Sequence, residues 1–106
     1  MGFNQRDMMK QLEQMQRKME QAQQEIGNTT VEGTAGGGVI TVTMSGDQEM
    51  RAVTIKPEAV DPDDIETLQD LIVAAMSDAL EKSKRLQAER MGEVTGGMGL
   101  PPGLGF

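Results

Sequence analysis

The hydrophobic pattern changes its period twice along the chain, and this change limits the folds that the chain can adopt. Between residues 8 and 26 the apolar residues are spaced alternately by four and three, which is the spacing of one face of an α-helix. Alternating, β-branched residues follow, as in β-strands. A helical spacing then returns after Pro62. The pattern predicts an α+β fold with the order α-β-β-β-α.

The first helix is predicted from about residue 4 to residue 26. Its apolar stripe is formed by Met8, Leu12, Met15, Met19, Ala22 and Ile26. Gly27 and Asn28 follow the stripe and favour a helix C-terminus. Because most stripe residues are Met or Ala, which repack easily, we interpret the stripe as a packing face against the rest of the fold or a sister helix.

Three antiparallel strands are predicted at about 29–35, 38–45 and 49–56, with turns at Gly36–Gly38 and Ser45–Gln48. The glycine-rich run lies between two strands and lacks the spacing of a phosphate-binding loop, so it is interpreted as a strand connection.

The register of the second and third strands depends on the turn between them. A two-residue turn at Gly46 and Asp47 would put Val53 on the same face as three apolar residues of the second strand, Ile40, Val42 and Met44. Met50 would then lie on the opposite face.

The second helix is predicted from about residue 62 to residue 91, with Asp61 as N-cap and Pro62 at the first helical position. The acidic residues that follow complement the positive end of a helix and lack the spacing of a calcium loop. A broad stripe suited to packing on the sheet is formed by Ile65, Leu68, Leu71, Ile72, Ala75, Met76, Ala79 and Leu80. Residues 1–91 are predicted to form one domain, and residues 92–106 a flexible tail rich in Gly and Pro.

Composition excludes most catalytic chemistry. The chain has no Cys and no His, so zinc sites and Ser-His-Asp or Cys-His catalysis have no residues to use. We therefore expect no enzyme activity, no catalytic residues, no metal and no cofactor. No stretch of about 18 apolar residues is present and the N-terminus does not resemble a signal peptide, which predicts a cytoplasmic protein without a membrane partner.

Charge is unevenly distributed along the chain. The net charge is −7, and residues 61–80 contain six acidic and no basic residues, whereas residues 81–91 contain four basic and two acidic ones. Cations near a helix C-terminus are explained by the helix dipole alone, or by phosphate binding. Only two aromatic residues exist, Phe3 and Phe106, so base stacking on single strands is disfavoured and contact with a duplex backbone is not.

Three stretches together resemble the YbaB/EbfC family of bacterial nucleoid-associated proteins over nearly the whole chain. They are VEGTAGGGVITVTMSGDQEMRAVTIKPE, DIETLQDLIVAAMSDALEKS and MGEVTGGMGLPPG. The resemblance implies a homodimer in the cytoplasm and nucleoid, whose paired helices project from a β core and bind double-stranded DNA. Chromosome organisation and effects on transcription are the implied role, and a part in DNA repair or replication, with proteins of those systems as partners, is a further implication.

The basic residues of the two helices are the DNA-binding candidates that the resemblance implies. They are Lys10, Arg17, Lys18, Lys82, Lys84, Arg85 and Arg90. No base-reading pattern accompanies them, so we expect little sequence specificity. The alternative interpretation is a protein-interaction scaffold accessory to DNA replication, recombination or repair, in which the Met-rich stripe and the tail bind partners.

Overall fold

The computed structural model describes residues 5–96, which form two helices and a three-stranded antiparallel sheet of strand order β1-β2-β3. The elements are α1 (Gln5–Asn28), β1 (Thr30–Ala35), β2 (Ile40–Ser45), β3 (Met50–Ile55), a short 3-10 turn (Pro57–Ala59) and α2 (Ile65–Gly96). The predicted α+β class and the order α-β-β-β-α are confirmed.

The start of α2 differs from the prediction. Asp61 forms a turn ahead of the helix, since its side chain accepts the backbone N–H of Asp63 at 2.9 Å and its carbonyl accepts that of Asp64 at 2.9 Å. The side chain of Asp64 then accepts the N–H of Thr67 at 3.2 Å, which is the N-cap arrangement. The prediction of Asp61 as N-cap was wrong. Residues 61–64 are acidic or Pro and can form two successive turns, and the side chain of Asp64 in the second turn caps the helix.

The end of α2 also differs from the prediction. The helix continues to Gly96, so residues 92–96, predicted as the beginning of the tail, are helical. Residues 97–106, the remainder of the predicted tail, lie outside the described residues.

The turn between β2 and β3 is longer than two residues. Ser45 pairs with Glu49 through its N–H at 2.8 Å, and Gln48 adopts a φ of 65° in the turn. Val53 lies opposite Val42 and is therefore on the predicted face, but a bulge shifts the register so that Met50 lies opposite Met44. The expectation that Met50 lies on the other face is therefore corrected, because one extra residue in a strand reverses the side assignments beyond it.

The core lies between α2 and the first two strands. It is formed by Ile40, Val42, Met44, Ala75 and Ala79. The helix approaches β1 closely because Gly33 has no side chain: a Cβ there would lie 2.2 Å from the carbonyl oxygen of Ala75 and 2.2 Å from the nitrogen of Ala79. Small residues on both elements thus set the distance between helix and sheet.

The turn between β2 and β3 holds both helices. The N–H of Gly46 donates to the carbonyls of Ile26 and Thr29 at 3.0 and 2.9 Å, which satisfies the C-terminal end of α1. On the other side, the hydroxyl of Ser83 donates to the carbonyl of Ser45 at 2.7 Å. The amide nitrogen of Gln48 donates to the Ser83 hydroxyl at 2.9 Å.

Beyond this turn the two helices run antiparallel and extend away from the sheet. Ile26 lies near Leu86 at the turn, and Ala22 shares a shallow depression with Val94. Ala22 and Ile26 are the buried residues of α1, and its N-terminal part is exposed. We call α1 together with residues 83–96 of α2 the helical arm. It gives the molecule an elongated shape, 76 Å in its longest dimension.

Candidate nucleic-acid interface

Two basic residues of α1 form a line on the outside of the helical arm. Lys10 and Arg17 are seven residues apart, which is about two helical turns, and both are exposed. At about 100° per residue they lie on the side of α1 opposite Met8 and Met15. Neither cation takes part in the ion pairs formed among residues 5–94. This side of α1 is therefore open to an anionic partner.

Lys18 and Arg90 both lie near Glu93, where the two helices meet. Lys18 lines the same shallow depression as Glu93 and Val94. Arg90 pairs with Glu93, with 3.8 Å between Nη1 and Oε2. Glu93 thus lies near cations of both helices and partly neutralises the positive charge of this region.

Lys82 lies at the edge of the sheet. Its Nζ donates to the carbonyl oxygen of Glu32 at 2.9 Å and pairs with Asp78 at 3.2 Å. Asp78 also accepts the N–H of Thr34 at 3.0 Å. The pKa of Asp78 is lowered, first by the hydrogen bond from Thr34 and then by Lys82. Lys82 therefore stabilises the contact between α2 and β1 and is less available than the cations of α1.

Lys84 and Arg85 are the most outward cations of α2. Lys84 is nine residues after Ala75, so at about 100° per residue it points away from the sheet, and it joins none of the ion pairs among the described residues. Arg85 pairs with Glu81 at 3.1 Å, and its side chain is 61% exposed. Such exposed pairs contribute about 0–1 kcal/mol, so a phosphate can compete for Arg85.

Six of the seven candidates lie on the helical arm, whereas Lys82 lies at the edge of the sheet, and the structure does not bring the seven into one cluster. Between the cations of α2, Ser83 is fully buried and Leu86 lies against Gly46. The buried hydrogen bonds of Ser83 were missed. The available signal was the four-residue spacing of small residues at Ala75, Ala79 and Ser83, which is typical of a close packing contact.

The acidic residues at the start of α2 lie far from these cations. From Asp64 to Lys84 the helix advances about 30 Å, at about 1.5 Å per residue. The Debye length at physiological ionic strength is about 8 Å. The acidic start of the helix therefore has little effect on the potential around Lys84, although the whole chain has a net charge of −7.

The part of the chain that the structure describes shows neither a metal site nor a membrane span. No group of three or more acidic residues there has the geometry to hold a metal ion. No described helix is both long enough and apolar enough to cross a bilayer.

Comparison of the sequence with known protein families identifies the family of this chain. Residues 1–98 match the sequence model of the YbaB/EbfC DNA-binding family. The chain belongs to the YbaB/EbfC DNA-binding family. The resemblance identified from the sequence is thereby confirmed.

Relatives of the YbaB/EbfC chain are similar over almost their full length. A nucleoid-associated protein from Desulforamulus reducens is 55% identical over 101 residues, which cover 95% of this chain and 96% of the relative. A nucleoid-associated protein from Chloroflexus aurantiacus is 54% identical over 96 residues, covering 91% and 96%.

A solved structure shares the fold of this YbaB/EbfC chain. The crystal structure of the uncharacterized protein HP0035 from Helicobacter pylori superposes with a TM-score of 0.69 at 18% identity, over 92% of this chain and 99% of that one. At that identity the similarity concerns the fold alone.

Proposed function

We propose that this YbaB/EbfC protein is a nucleoid-associated protein that binds double-stranded DNA through the phosphate backbone, with little sequence specificity. Family membership supports DNA as the partner, and the relatives from D. reducens and C. aurantiacus are named nucleoid-associated proteins. The observation that carries the mode of binding is the set of exposed cations on the helical arm. Lys10, Arg17, Lys18 and Lys84 have no ion pair among the described residues.

The basic side chains of the helical arm explain why we expect binding by charge without recognition of bases. Lys and Arg contact phosphates whatever the base sequence, and the counterions that they release drive binding. Glu93 and Glu81 hold part of this charge, so the affinity is expected to be modest and strongly dependent on salt. Organisation of the chromosome and effects on transcription follow from binding at many sites.

We further propose that two copies of the chain associate through an apolar surface beside the sheet. All six residues of β3 are exposed, because α2 packs chiefly on β1 and β2. Val53 and Ile55 lie opposite the buried residues Val42 and Ile40, so they extend the packing face of the sheet beyond the helix. They are 41% and 38% exposed.

The helix continues this surface on the same side. Asp78 accepts a hydrogen bond from Thr34 of β1, so its side of α2 faces β1. Met76 lies two residues earlier, about 200° around the helix, and therefore faces the opposite side, toward β3. Ile65, eleven residues before Met76, lies on the same flank, and the two are 47% and 43% exposed. We call Val53, Ile55, Ile65 and Met76 the β3 patch. A second copy covering the β3 patch would give a homodimer with two helical arms.

The experiment is a filter-binding titration of one generic duplex with the full chain at several salt concentrations. Log affinity should fall linearly with log salt, with a slope of about 0.9 for each phosphate contacted. Replacing Lys10, Arg17 and Lys84 together by Ala should weaken binding to duplexes of different sequence alike. Lys56→Ala removes a charge outside the helical arm and should have little effect.

Two outcomes would reject the proposal. One is the absence of binding in dilute buffer. The other is an affinity that does not depend on salt.

A further inference from the structure

The apolar stripe on the N-terminal part of α1 has no cover among the described residues. We define the exposed stripe as four residues that are 37–57% exposed, Met8, Leu12, Met15 and Met19. The same spacing continues to Ala22 and Ile26, which are buried. One line of apolar residues is therefore buried at one end of α1 and open at the other. A contiguous apolar surface of this kind indicates an interaction site.

The position of α2 determines how a second helix can lie on the exposed stripe. α2 packs on the face of α1 that carries Ala22 and Ile26, and its residues Glu93 and Val94 share a depression with Ala22. A parallel second α1 would bring the α2 of its own chain to that same place, where the two α2 helices would collide. An antiparallel second α1 avoids this collision, because its own α2 then lies past Met8, at the N-terminal end of the first α1.

The exposed stripe is also complementary to an antiparallel copy of itself. The gaps between its four residues are four, three and four, and this order is the same when it is read from either end. From Met8 to Met19 the helix advances about 17 Å, at about 1.5 Å per residue. The free halves of two antiparallel helices therefore match in length and in the spacing of their apolar residues.

Little charge borders the exposed stripe. On the helix surface Gln11 and Lys18 lie along one side of it, and Met9 and Gln16 lie along the other. Of these four residues only Lys18 is charged, so a strongly charged partner, such as an anionic membrane or an acidic peptide, would find no line of opposite charge. In an antiparallel pair, Lys18 of each chain lies next to Gln11 of the other. The border of the exposed stripe thus favours a second copy of α1, which meets it without repulsion.

From these observations we propose that the exposed stripes of two copies of the chain pair as antiparallel helices. Met8 of each copy faces Met19 of the other, and Leu12 faces Met15. The contact removes the apolar face of both helices from solvent. It lies on the helical arm, apart from the β3 patch, so one chain can use both surfaces and link dimers into larger assemblies.

The pairing is weaker than a stable interface and leaves the cations of α1 open. The exposed stripe covers about three turns of one helix, so two copies bury less than the about 1,000 Å² expected of a stable complex. Pairing is therefore expected in concentrated protein and not in dilute protein. Lys10 and Arg17 lie on the opposite side of α1 and point away from the partner. The proposal does not depend on DNA binding, and its test contains no DNA.

The absence of Cys allows a direct test, because a single introduced thiol is unique in the chain. The full chain with Leu12→Cys is treated with a short bis-maleimide in concentrated solution, and the rate at which covalent pairs form is measured. The matched control is Gln14→Cys, an exposed position about 200° around α1 from Leu12. The proposal predicts that Leu12→Cys forms pairs several-fold faster than Gln14→Cys and that this advantage is lost on dilution. Equal rates would overturn it.

A mixture of two variants tests the direction of the pairing. Chains with Met8→Cys are mixed with chains with Met19→Cys, which differ in mass through an affinity tag. An antiparallel pair brings these two positions together, so mixed pairs should form faster than pairs of either variant with itself. Faster pairing of each variant with itself would indicate parallel helices and would overturn the proposal.

Two further backgrounds show which surface is responsible. Replacing Met8 and Met15 by Gln keeps a helix-forming residue at each position while the apolar face is lost, so the fast cross-linking of Leu12→Cys should disappear. Replacing Val53 and Met76 by Asp disrupts the β3 patch instead and should leave the cross-linking unchanged. Cross-linking that is lost in the second background, or that does not depend on dilution, would place the contact inside the dimer and contradict a separate interface.

Discussion

The hydroxyl of Ser83 donates a hydrogen bond of 2.7 Å to the backbone carbonyl of Ser45, and both side chains are fully buried. The bond joins the middle of α2 to the turn between β2 and β3. The same turn accepts the end of α1 through Gly46. The direction of the helical arm is therefore set by contacts at one turn, 38 residues before Ser83 in the sequence.

Replacing Ser83 by Ala should destabilise the protein by about 1 kcal/mol. The loss is that of one hydrogen bond, because the Ser45 carbonyl keeps the N–H of Gln48 and the Gln48 amide keeps the Gly46 carbonyl. Urea unfolding measures the difference. The exposed Ser77→Ala on the same helix corrects for helix propensity and should stay within about 0.5 kcal/mol of the parent. Equal effects of the two substitutions would contradict the role given to Ser83.

Replacing Gly33 by Ala should destabilise the protein by about 1–3 kcal/mol, because the new methyl group meets the backbone of α2 and the helix must move away from the sheet. The matched substitution is Gly92→Ala within α2, where a Cβ has nothing within 4 Å. It should stabilise the helix by up to about 1 kcal/mol. Thermal or urea unfolding of both variants checks the opposite signs, and a neutral Gly33→Ala would show that α2 is not fixed on β1.

Asp78→Asn should reduce the dependence of stability on pH in acid. The folded-state pKa of Asp78 is lowered from 3.8 by Thr34 and Lys82, so its carboxylate stabilises the fold above the unfolded-state pKa. This contribution is lost as the pH falls through the lowered folded-state pKa. The difference in free energy of unfolding between parent and Asp78→Asn should therefore shrink below about pH 4.

The control for this measurement is Asp70→Asn on the same helix. Asp70 takes part in none of the hydrogen bonds and ion pairs identified among the described residues, apart from those within the helix backbone. A difference between parent and Asp78→Asn that stays constant over the acid range would argue against the contacts of Asp78 with Thr34 and Lys82.

Lys84→Ala should weaken DNA binding more than Lys82→Ala. Each variant removes one positive charge from α2, so the net charge of the protein changes equally. Lys84 is free to contact a phosphate, whereas Lys82 is held by Glu32 and Asp78. Loss of one phosphate contact should lower the slope of log affinity against log salt by about 0.9 for Lys84→Ala. A larger change for Lys82→Ala would mean that Lys82 leaves the sheet edge on binding.

Replacing Val53 and Met76 by Asp should convert a dimer to a monomer. Charged groups in the β3 patch would have to be buried without a partner, which is costly. Sedimentation velocity gives the mass of the parent and the variant. Met8→Asp combined with Met15→Asp places the same two charges on the apolar stripe of α1 and should leave the dimer intact. A monomeric parent, or a variant that remains dimeric, would show that the β3 patch is not the interface.

Local patterns in the sequence were sufficient to predict the elements of this fold. The period of the apolar residues in α1 and the alternation in β2 depend on neighbours a few positions apart, and both predictions agree with the structure. The start of α2 was less certain because Asp61 and Asp64 both suit a cap. Which of the two caps the helix depends on the turn that fits the chain after Pro57. That turn is a property of the assembled fold.

The surroundings of the cations could not be predicted in the same way. Lys82 donates to the backbone carbonyl of Glu32, which is 50 residues earlier in the sequence. Asp78 accepts the N–H of Thr34, which is 44 residues earlier. Such contacts depend on how α2 lies across β1, which Gly33 determines. Identification of the family located the cations on two helices but did not distinguish the paired Lys82 from the unpaired Lys84.

The two turns of the sheet should differ in how they tolerate inserted peptides. Gly37 and Gly38 lie at a turn where a Cβ would have no neighbour within 4 Å, so an epitope tag placed there would extend into solvent. The same tag after Gly46 would separate the end of α1 and the middle of α2 from the turn that holds them. A label meant to report on the protein without altering its arm therefore belongs at the first turn.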